Sequence, residues 1–144
     1  MKKNLFIITG AFLLIIVILT FILIAIKSRN MELSEVNAEY EFYLNKEIYG
    51  TELATLINKA IDNNKRREVE IDENGCYTDN GIDSILISIS IIGSDEKFPM
   101  EKIFSLGTEQ FVALFNSGVF VSDSVTYHKN TGRIATISFK QITE

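Results

Sequence analysis

The sequence predicts an α+β protein, with one N-terminal transmembrane helix followed by a small antiparallel sheet packed with two helices. Three observations support this fold class. Leu5–Ile26 is an apolar run of membrane-spanning length, Leu53–Ile61 carries apolar residues at helical spacing, and Asp83–Ile92 alternates apolar and polar residues as a half-buried strand does. Asn-Gly pairs mark turns between further short segments.

The N-terminal run predicts a membrane anchor. Leu5–Ile26 contains no charged residue and, at about 1.5 Å per residue, is long enough to cross a hydrocarbon core of about 30 Å. The run exceeds the apolar region of a cleaved signal peptide, about 7–15 residues, and no small-x-small cleavage site follows it. We therefore expect an uncleaved signal-anchor over residues 1–29, a stalk or linker over 30–40 and a soluble domain over 41–144.

The charges that flank the anchor bear on its orientation. Lys2 and Lys3 lie on one side and Lys27 and Arg29 on the other, so the positive-inside count is nearly tied. The α-amino charge of the short N-terminal tail favours an inside N-terminus. We expect a single-pass protein of the cell membrane whose C-terminal domain is extracytoplasmic.

The soluble part of the chain is strongly acidic. From Asn30 onward, ten Lys and Arg residues stand against nineteen Asp and Glu residues, a net charge of −9. A domain with this charge is repelled by phosphate backbones and by anionic lipid headgroups. Its one basic cluster, Lys65–Arg67, is followed at once by Glu68 and Glu70. Nucleic acid is therefore not expected as a partner.

Two segments after the anchor leave alternatives open. Met31–Tyr40 is polar, with glutamates at helix-like spacing, so it either extends the anchor helix as a stalk or forms a solvated linker. Glu41–Tyr49 mixes aromatic and polar residues and is followed by Gly50, which predicts one short strand or two strands about a turn.

The segment after Gly50 predicts the first helix of the soluble domain. Thr51 suits the N-cap, and Glu52 suits the positive end of the helix dipole. We expect the helix to end at Asp62–Asn64 and the basic cluster that follows. Its apolar face consists of Leu53, Leu56, Ile57, Ala60 and Ile61.

The middle of the domain predicts strands separated by turns. Glu68–Asp72 alternates as a short strand, and Asn74–Gly75 and Asn80–Gly81 are hairpin turn signals. We expect one face of Asp83–Ile92 to pack against the apolar face of the first helix. That strand face consists of Ile85, Ile87, Ile89 and Ile91.

Two short helices are predicted next. Pro99 suits the first turn of one helix, and Thr108 suits the N-cap of another, which we expect to stop at Gly118. Gly107 interrupts the two. Their apolar sides consist of Met100, Ile103 and Phe104 in the first helix and Phe111, Val112, Leu114 and Phe115 in the second.

A hairpin is predicted to follow. Val119–His128 and Arg133–Ile142 read as strands, and Lys129–Gly132 joins them as a turn. Gly132 is suited to the left-handed position of a bulged loop.

The sequence predicts no catalytic, cofactor-binding or metal-ligating residues. Cys76 and His128 are the single cysteine and histidine, which is too few for an internal disulfide or a zinc site. A nucleophilic pair of the two would need a third orienting group, and we interpret Cys76 as a partly exposed turn residue. Four carboxylates lie around the Asn-Gly turns, where calcium could bind, but they lack EF-hand order and are better explained by turn hydrogen bonds: Asp72, Glu73, Asp79 and Asp83.

Two stretches carry a resemblance to a known group of proteins. Tyr43–Leu53, continuing through Ile57–Ile61, has an aromatic residue and an Asn before an I-x-G turn into a helix, and Tyr127–Phe139 closes with G-x-I-x-x-I-x-F. The pattern resembles small, largely uncharacterised single-span membrane proteins of Gram-positive anaerobes, some of them associated with Tad-type or type IV-like pilus and secretion machinery. The resemblance implies a structural or accessory role. An ordinary pilin signature is missing, because Gly10 lies inside the apolar run and the run contains no Glu.

These observations favour a membrane-anchored, extracytoplasmic structural or interaction protein, as a pilin-like or accessory component of a surface assembly. Its expected partners are membrane lipid, through Leu5–Ile26, and another protein that docks on a sheet edge or a helix face. Two alternatives stay open: an extracytoplasmic module that binds a ligand or cell-wall material, and a cytoplasm-facing docking protein. An enzyme is not expected.

Overall fold

The computed structural model describes residues 2–143, apart from the side chains of residues 2–9 and 108. The chain divides into two compact units, Met1–Glu35 and Val36–Glu144. Helix α1 (Lys2–Glu41) forms the first unit as far as Glu35, and its last residues, 36–41, belong to the second unit. The predicted stalk is thus helical, which is the first of its two alternatives.

Helix α1 has the properties that the anchor prediction requires. From Gly10 onward it is long and apolar enough to cross a membrane, and its apolar side chains as far as Ile26 are exposed. A helix satisfies its own backbone hydrogen bonds, which is what a lipid environment demands of a spanning segment. A signal sequence near the N-terminus can meet the same criteria of length and apolar composition.

The second unit is a five-stranded sheet with three further helices, so the predicted α+β class is confirmed. The sheet order is β1-β4-β5-β2-β3, and every pairing is antiparallel except β2 with β5. The elements are β1 (Ile48–Tyr49), α2 (Gly50–Arg66), β2 (Leu86–Ser90), β3 (Lys97–Pro99), α3 (Met100–Leu106), α4 (Thr108–Phe115), β4 (Val119–Tyr127) and β5 (Ile134–Thr143).

Helices α2, α3 and α4 correspond to the three helical segments predicted after the anchor, and Gly107 separates the last two as expected. Its φ of 88° is a left-handed value that glycine adopts at no steric cost. Helix α3 therefore ends at Leu106, and α4 begins at Thr108 with Gly107 in the N-cap position. The expected cap by the Thr108 side chain lies outside the side chains that the structure describes.

The predicted core is confirmed on both of its main faces. The apolar face of α2 is buried, and Ile85, Ile87 and Ile89 are at most 2% exposed in the same apolar cluster. Ile91 packs against that cluster and is partly buried. The central strand β5 contributes Ile137, which pairs with Ile87 on one side and with Val125 on the other. Burial of these side chains is the main stabilising term for the fold.

The start of α2 differs from the prediction. The helix begins at Gly50, and Tyr49 rather than Thr51 occupies the N-cap position. The Tyr49 N–H donates to the Glu52 carboxylate at 3.0 Å, and this bond lowers the pKa of Glu52. Gly50 is required there because a Cβ would overlap the backbone carbonyl of Phe115. Of the predicted strand over residues 41–49, only β1 is formed.

The strand predicted over Glu68–Asp72 is wrong. Glu68 has a φ of 53°, and the Val69 N–H donates back to the Asn64 carbonyl, so the chain leaves α2 in a turn. Instead of a strand, this segment forms one isolated antiparallel bridge, between Ile71 and Tyr77, and Ile71 is 58% exposed. Few buried apolar contacts are available there to hold an extended strand.

The predicted apolar sides of the two short helices, α3 and α4, are confirmed only in part. Met100, Ile103 and Phe111 are buried, but Phe104 is 39% and Leu114 is 69% exposed.

The predicted hairpin of β4 and β5 is confirmed. His128 and Arg133 close it through an N–H to carbonyl bond of 2.8 Å, and Gly132 has the expected left-handed φ of 72°.

Candidate functional site

The second unit contains a polar cluster with a buried centre, which we call the polar junction. It joins the C-terminal turns of α1, the end of α2, the loop before β2 and the turn between β4 and β5. Its members are Asn37, Asn63, Asn64, Asp79, Ser84, His128 and Thr131.

Helix α2 enters the junction through two adjacent asparagines. Asn64 is fully buried, and its amide pairs with the backbone of Ile85, donating to the carbonyl at 2.8 Å and accepting from the N–H at 2.9 Å. Asn63 donates to the carbonyl of Asp83 at 2.9 Å. A buried backbone group without a partner is costly, so these side chains supply the bonds that no neighbouring strand provides.

His128 attaches the β4–β5 turn to the same loop. The residue is 4% exposed, and Nε2 lies 2.8 Å from the carbonyl oxygen of Ser84, so Nε2 carries a proton and donates. Nδ1 lies 3.4 Å from a carboxylate oxygen of Asp79. Thr131 donates its hydroxyl to the carbonyl of Ile82 at 2.6 Å. The prediction placed His128 at the edge of a turn but did not anticipate that the loop over residues 79–84 covers it.

The loop over residues 79–84 is held in shape by its own side chains. The side-chain amide oxygen of Asn80 accepts the N–H groups of Ile82, Asp83 and Ser84, each at 3.0 Å. Asp79 accepts the Gly81 N–H at 2.8 Å. The second Asn-Gly pair therefore forms a side-chain-capped loop and not a hairpin.

The end of α1 enters the junction through Asn37. Its amide nitrogen donates to the Gly132 carbonyl at 3.0 Å, and its oxygen accepts the Ile134 N–H at 3.1 Å. One turn later, Tyr40 is buried, and this burial raises the pKa of Tyr40 to about 12. The last turns of α1 are thus an integral part of the domain core.

The chemistry of the junction is that of a structural hydrogen-bond network. Ser84 is fully buried, its hydroxyl donates to Asp79 at 3.3 Å, and it accepts the Asn80 N–H at 3.1 Å. Neither Ser84 nor His128 presents a free atom to solvent in this conformation. The arrangement fixes backbone segments that lie far apart in sequence.

Cys76 lies apart from the junction, in the turn between Ile71 and Tyr77. It is half-buried beside an open cavity of about 430 Å³ that Glu101 and Lys102 help to line. Burial first, and then the charges of Glu101 and Asp72, raise the pKa of the Cys76 thiol. A raised pKa lowers the thiolate fraction and hence the reactivity. Within residues 2–143 no hydrogen bond joins Cys76 to His128.

Three of the four carboxylates around the Asn-Gly turns, those of Asp72, Asp79 and Asp83, have partners within the domain. Asp72 accepts the N–H groups of Cys76 and Asn74, and these bonds lower the pKa of Asp72. Asp83 lies 3.4 Å from the Arg67 guanidinium. Among the described residues, no three His, Cys, Asp or Glu side chains are grouped so that they could hold a metal ion.

Sequence reasoning missed Asn37, Asn63 and Asn64, because asparagines near helix ends usually face solvent. A positional signal was present. Asn64 lies three and seven residues after Ile61 and Ile57, so it continues the buried face of α2. Asn37 lies three and seven residues before Tyr40 and Leu44, which are both buried, so it shares their face of the chain.

The comparisons with known proteins identify no relative. No protein-family model matches the sequence, and neither a curated protein nor a solved structure matches the chain.

Proposed function

We propose that the chain is a single-pass membrane protein whose domain lies outside the cell membrane and acts as a structural or interaction component of a surface assembly. The observation that supports this most is the exposed apolar surface of α1 between Gly10 and Ile26. An apolar surface of this length needs lipid or a partner to cover it.

The continuity of α1 favours an anchor over a cleaved signal sequence. A signal peptide ends in an accessible cleavage site, whereas α1 stays helical through Glu41, and its last turns contribute Asn37 and Tyr40 to the domain. Cleavage close to the apolar run would have to take place within this helix. The proposed protein is therefore retained in the membrane.

The nature of the junction supports a binding role rather than catalysis. Ser84 and His128 are buried, and Asp79, whose side chain is 57% exposed, contacts both of them. The exposed surface of the domain is acidic and carries scattered apolar side chains such as Ile92 and Leu114. Such a surface suits recognition of another protein through a sheet edge or a helix face.

Topology and processing test the proposal together. C-terminal fusions are made with one reporter that is active only outside the membrane and another that is active only inside, and the fusion is sized by immunoblot. We expect the outside reporter to be active on a full-length, membrane-bound product. An active inside reporter would instead favour the cytoplasm-facing docking alternative, and a shortened, soluble product would refute the anchor.

A substitution pair makes the fractionation specific. Ile16→Lys places a charge at the centre of the apolar run, where insertion scales give a cost of about 2.5–3.5 kcal/mol. Leu114→Lys places the same charge on an exposed position of the domain. We expect the first variant alone to reduce membrane retention, and equal retention of both would count against lipid as the partner of α1.

A further inference from the structure

The chain contains two Asn-Gly pairs, Asn74–Gly75 and Asn80–Gly81, and both belong to loops. In such a pair the backbone nitrogen of the glycine can attack the side-chain carbonyl carbon of the asparagine, because no Cβ hinders its approach. The asparagine must first rotate its side chain towards that nitrogen. The structure permits this rotation to very different extents at the two sites.

The Asn80 side chain is held on both of its polar atoms. Its oxygen accepts three backbone N–H groups at 3.0 Å each, and its nitrogen donates to Asp83 at 2.9 Å. Rotation towards Gly81 would break all four bonds at once. The loop that supports His128 and Thr131 would lose its cap as a result.

The Asn74 side chain is held much less. Within residues 2–143 the only hydrogen bond that it makes is donated to Asp72 at 3.5 Å, the long limit for such a bond. Asn74 is exposed, and a Cβ on Gly75 would meet nothing within 4 Å, so the turn has open space around it. The attacking nitrogen is hydrogen-bonded at both sites, because the Gly75 N–H donates to the backbone carbonyl of Asp72 at 3.0 Å and the Gly81 N–H donates to the Asp79 carboxylate at 2.8 Å.

We propose that Asn74 is a site of spontaneous deamidation and that the fold protects Asn80. At Asn74 the deprotonated nitrogen of Gly75 forms a bond to the side-chain carbonyl carbon, the carbon–nitrogen bond of the amide breaks, and ammonia leaves. Water then opens the resulting cyclic imide at either carbonyl, which gives aspartate or isoaspartate. No oxidant, reductant or enzyme is needed.

The product changes the turn around Cys76. In the product, a carboxylate at position 74 replaces the amide that donated to the Asp72 carboxylate, so two negative charges face each other. Isoaspartate also lengthens the backbone between residues 74 and 76, whose N–H groups both donate to the Asp72 side chain. Like charges at this distance repel. The turn therefore opens, the Ile71–Tyr77 bridge weakens, and the Cys76 thiol becomes more accessible.

The test is peptide mapping of the full-length protein, kept in detergent micelles at mildly alkaline pH and sampled over time. The same protein unfolded in urea is the control, because both asparagines are then free. We expect comparable rates in urea, and in the folded protein a rate at Asn80 that is on the order of a hundredfold lower than at Asn74, as three additional hydrogen bonds of ordinary net strength would give.

Two results would overturn the proposal. One is equal deamidation of Asn74 and Asn80 in the folded protein. The other is an intact Asn74 in the folded protein after both sites have reacted in urea. The Asn74→Asp variant tests the consequence, since its Cys76 should react faster with a thiol reagent than the parent protein, and an unchanged rate would contradict the opening of the turn.

Discussion

Replacing Asn64 by alanine tests the polar junction most directly. The side chain is fully buried and bonds both the N–H and the carbonyl of Ile85. Alanine leaves these two backbone groups without partners, and each buried unsatisfied group costs about 1–3 kcal/mol. We therefore expect Asn64→Ala to lower the free energy of unfolding by about 2–6 kcal/mol, a large share of the roughly 5–15 kcal/mol of a typical domain.

The assay is urea unfolding of the full-length protein in detergent, followed by the near-ultraviolet circular dichroism of its tyrosines. Asp62→Ala is the matched control, because Asp62 lies on the same helix but is exposed, and exposed substitutions usually change stability by less than about 0.5 kcal/mol. A loss for Asn64→Ala that equals the loss for Asp62→Ala would refute the structural role of the junction.

Three further predictions follow from single positions. Burial raises the pKa of Tyr40 to about 12, so the folded state loses stability relative to the unfolded state as pH rises from about 10 to 12. Ultraviolet titration should show a tyrosine that ionises near pH 12 and is lost in Tyr40→Phe, and its persistence in that variant would be contrary evidence. Gly50→Ala should destabilise the domain by about 1–3 kcal/mol, because the new Cβ meets the Phe115 carbonyl. Thermal unfolding measures this, and Gly10→Ala, where space is open, should match the parent. Asp123→Val should promote self-association, because β1 pairs with β4 only at Val119 and Phe120, so among the described residues that side of β4 is an open strand edge at the charged bulge of Asp123. Light scattering as low as that of the parent would contradict this.

Apolar periodicity predicted the elements whose burial is one-sided. Helix α2 and strand β2 each bury one face, and their sequences repeat at about 3.6 and 2 residues for that reason. Strands β1 and β3 have two and three residues, too few for any repeat. The parallel pairing of β2 with β5 joins residues about fifty positions apart, so no local pattern encodes it.

The burial of the polar junction residues could be predicted only from their spacing relative to apolar residues, and not from their residue type. Asn64 continues the buried face of α2, and that spacing could have been read from the sequence. The burial of His128 could not, because it depends on the loop before β2 folding over the β4–β5 turn. Partners that lie 44 residues apart are fixed by tertiary packing alone.

The place of β5 within the sheet has a consequence for the order of assembly. β5 lies between β4 and β2, yet it follows every other strand along the chain. The sheet therefore cannot close until β5 has been synthesised, and the end of α1 must wait for the same segment, since the Ile134 N–H donates to the Asn37 side chain across 97 positions. Loop closure over such separations is slow. During that interval the apolar faces of α2 and β2 are exposed to water, so folding of the domain is a step that a holding chaperone would protect.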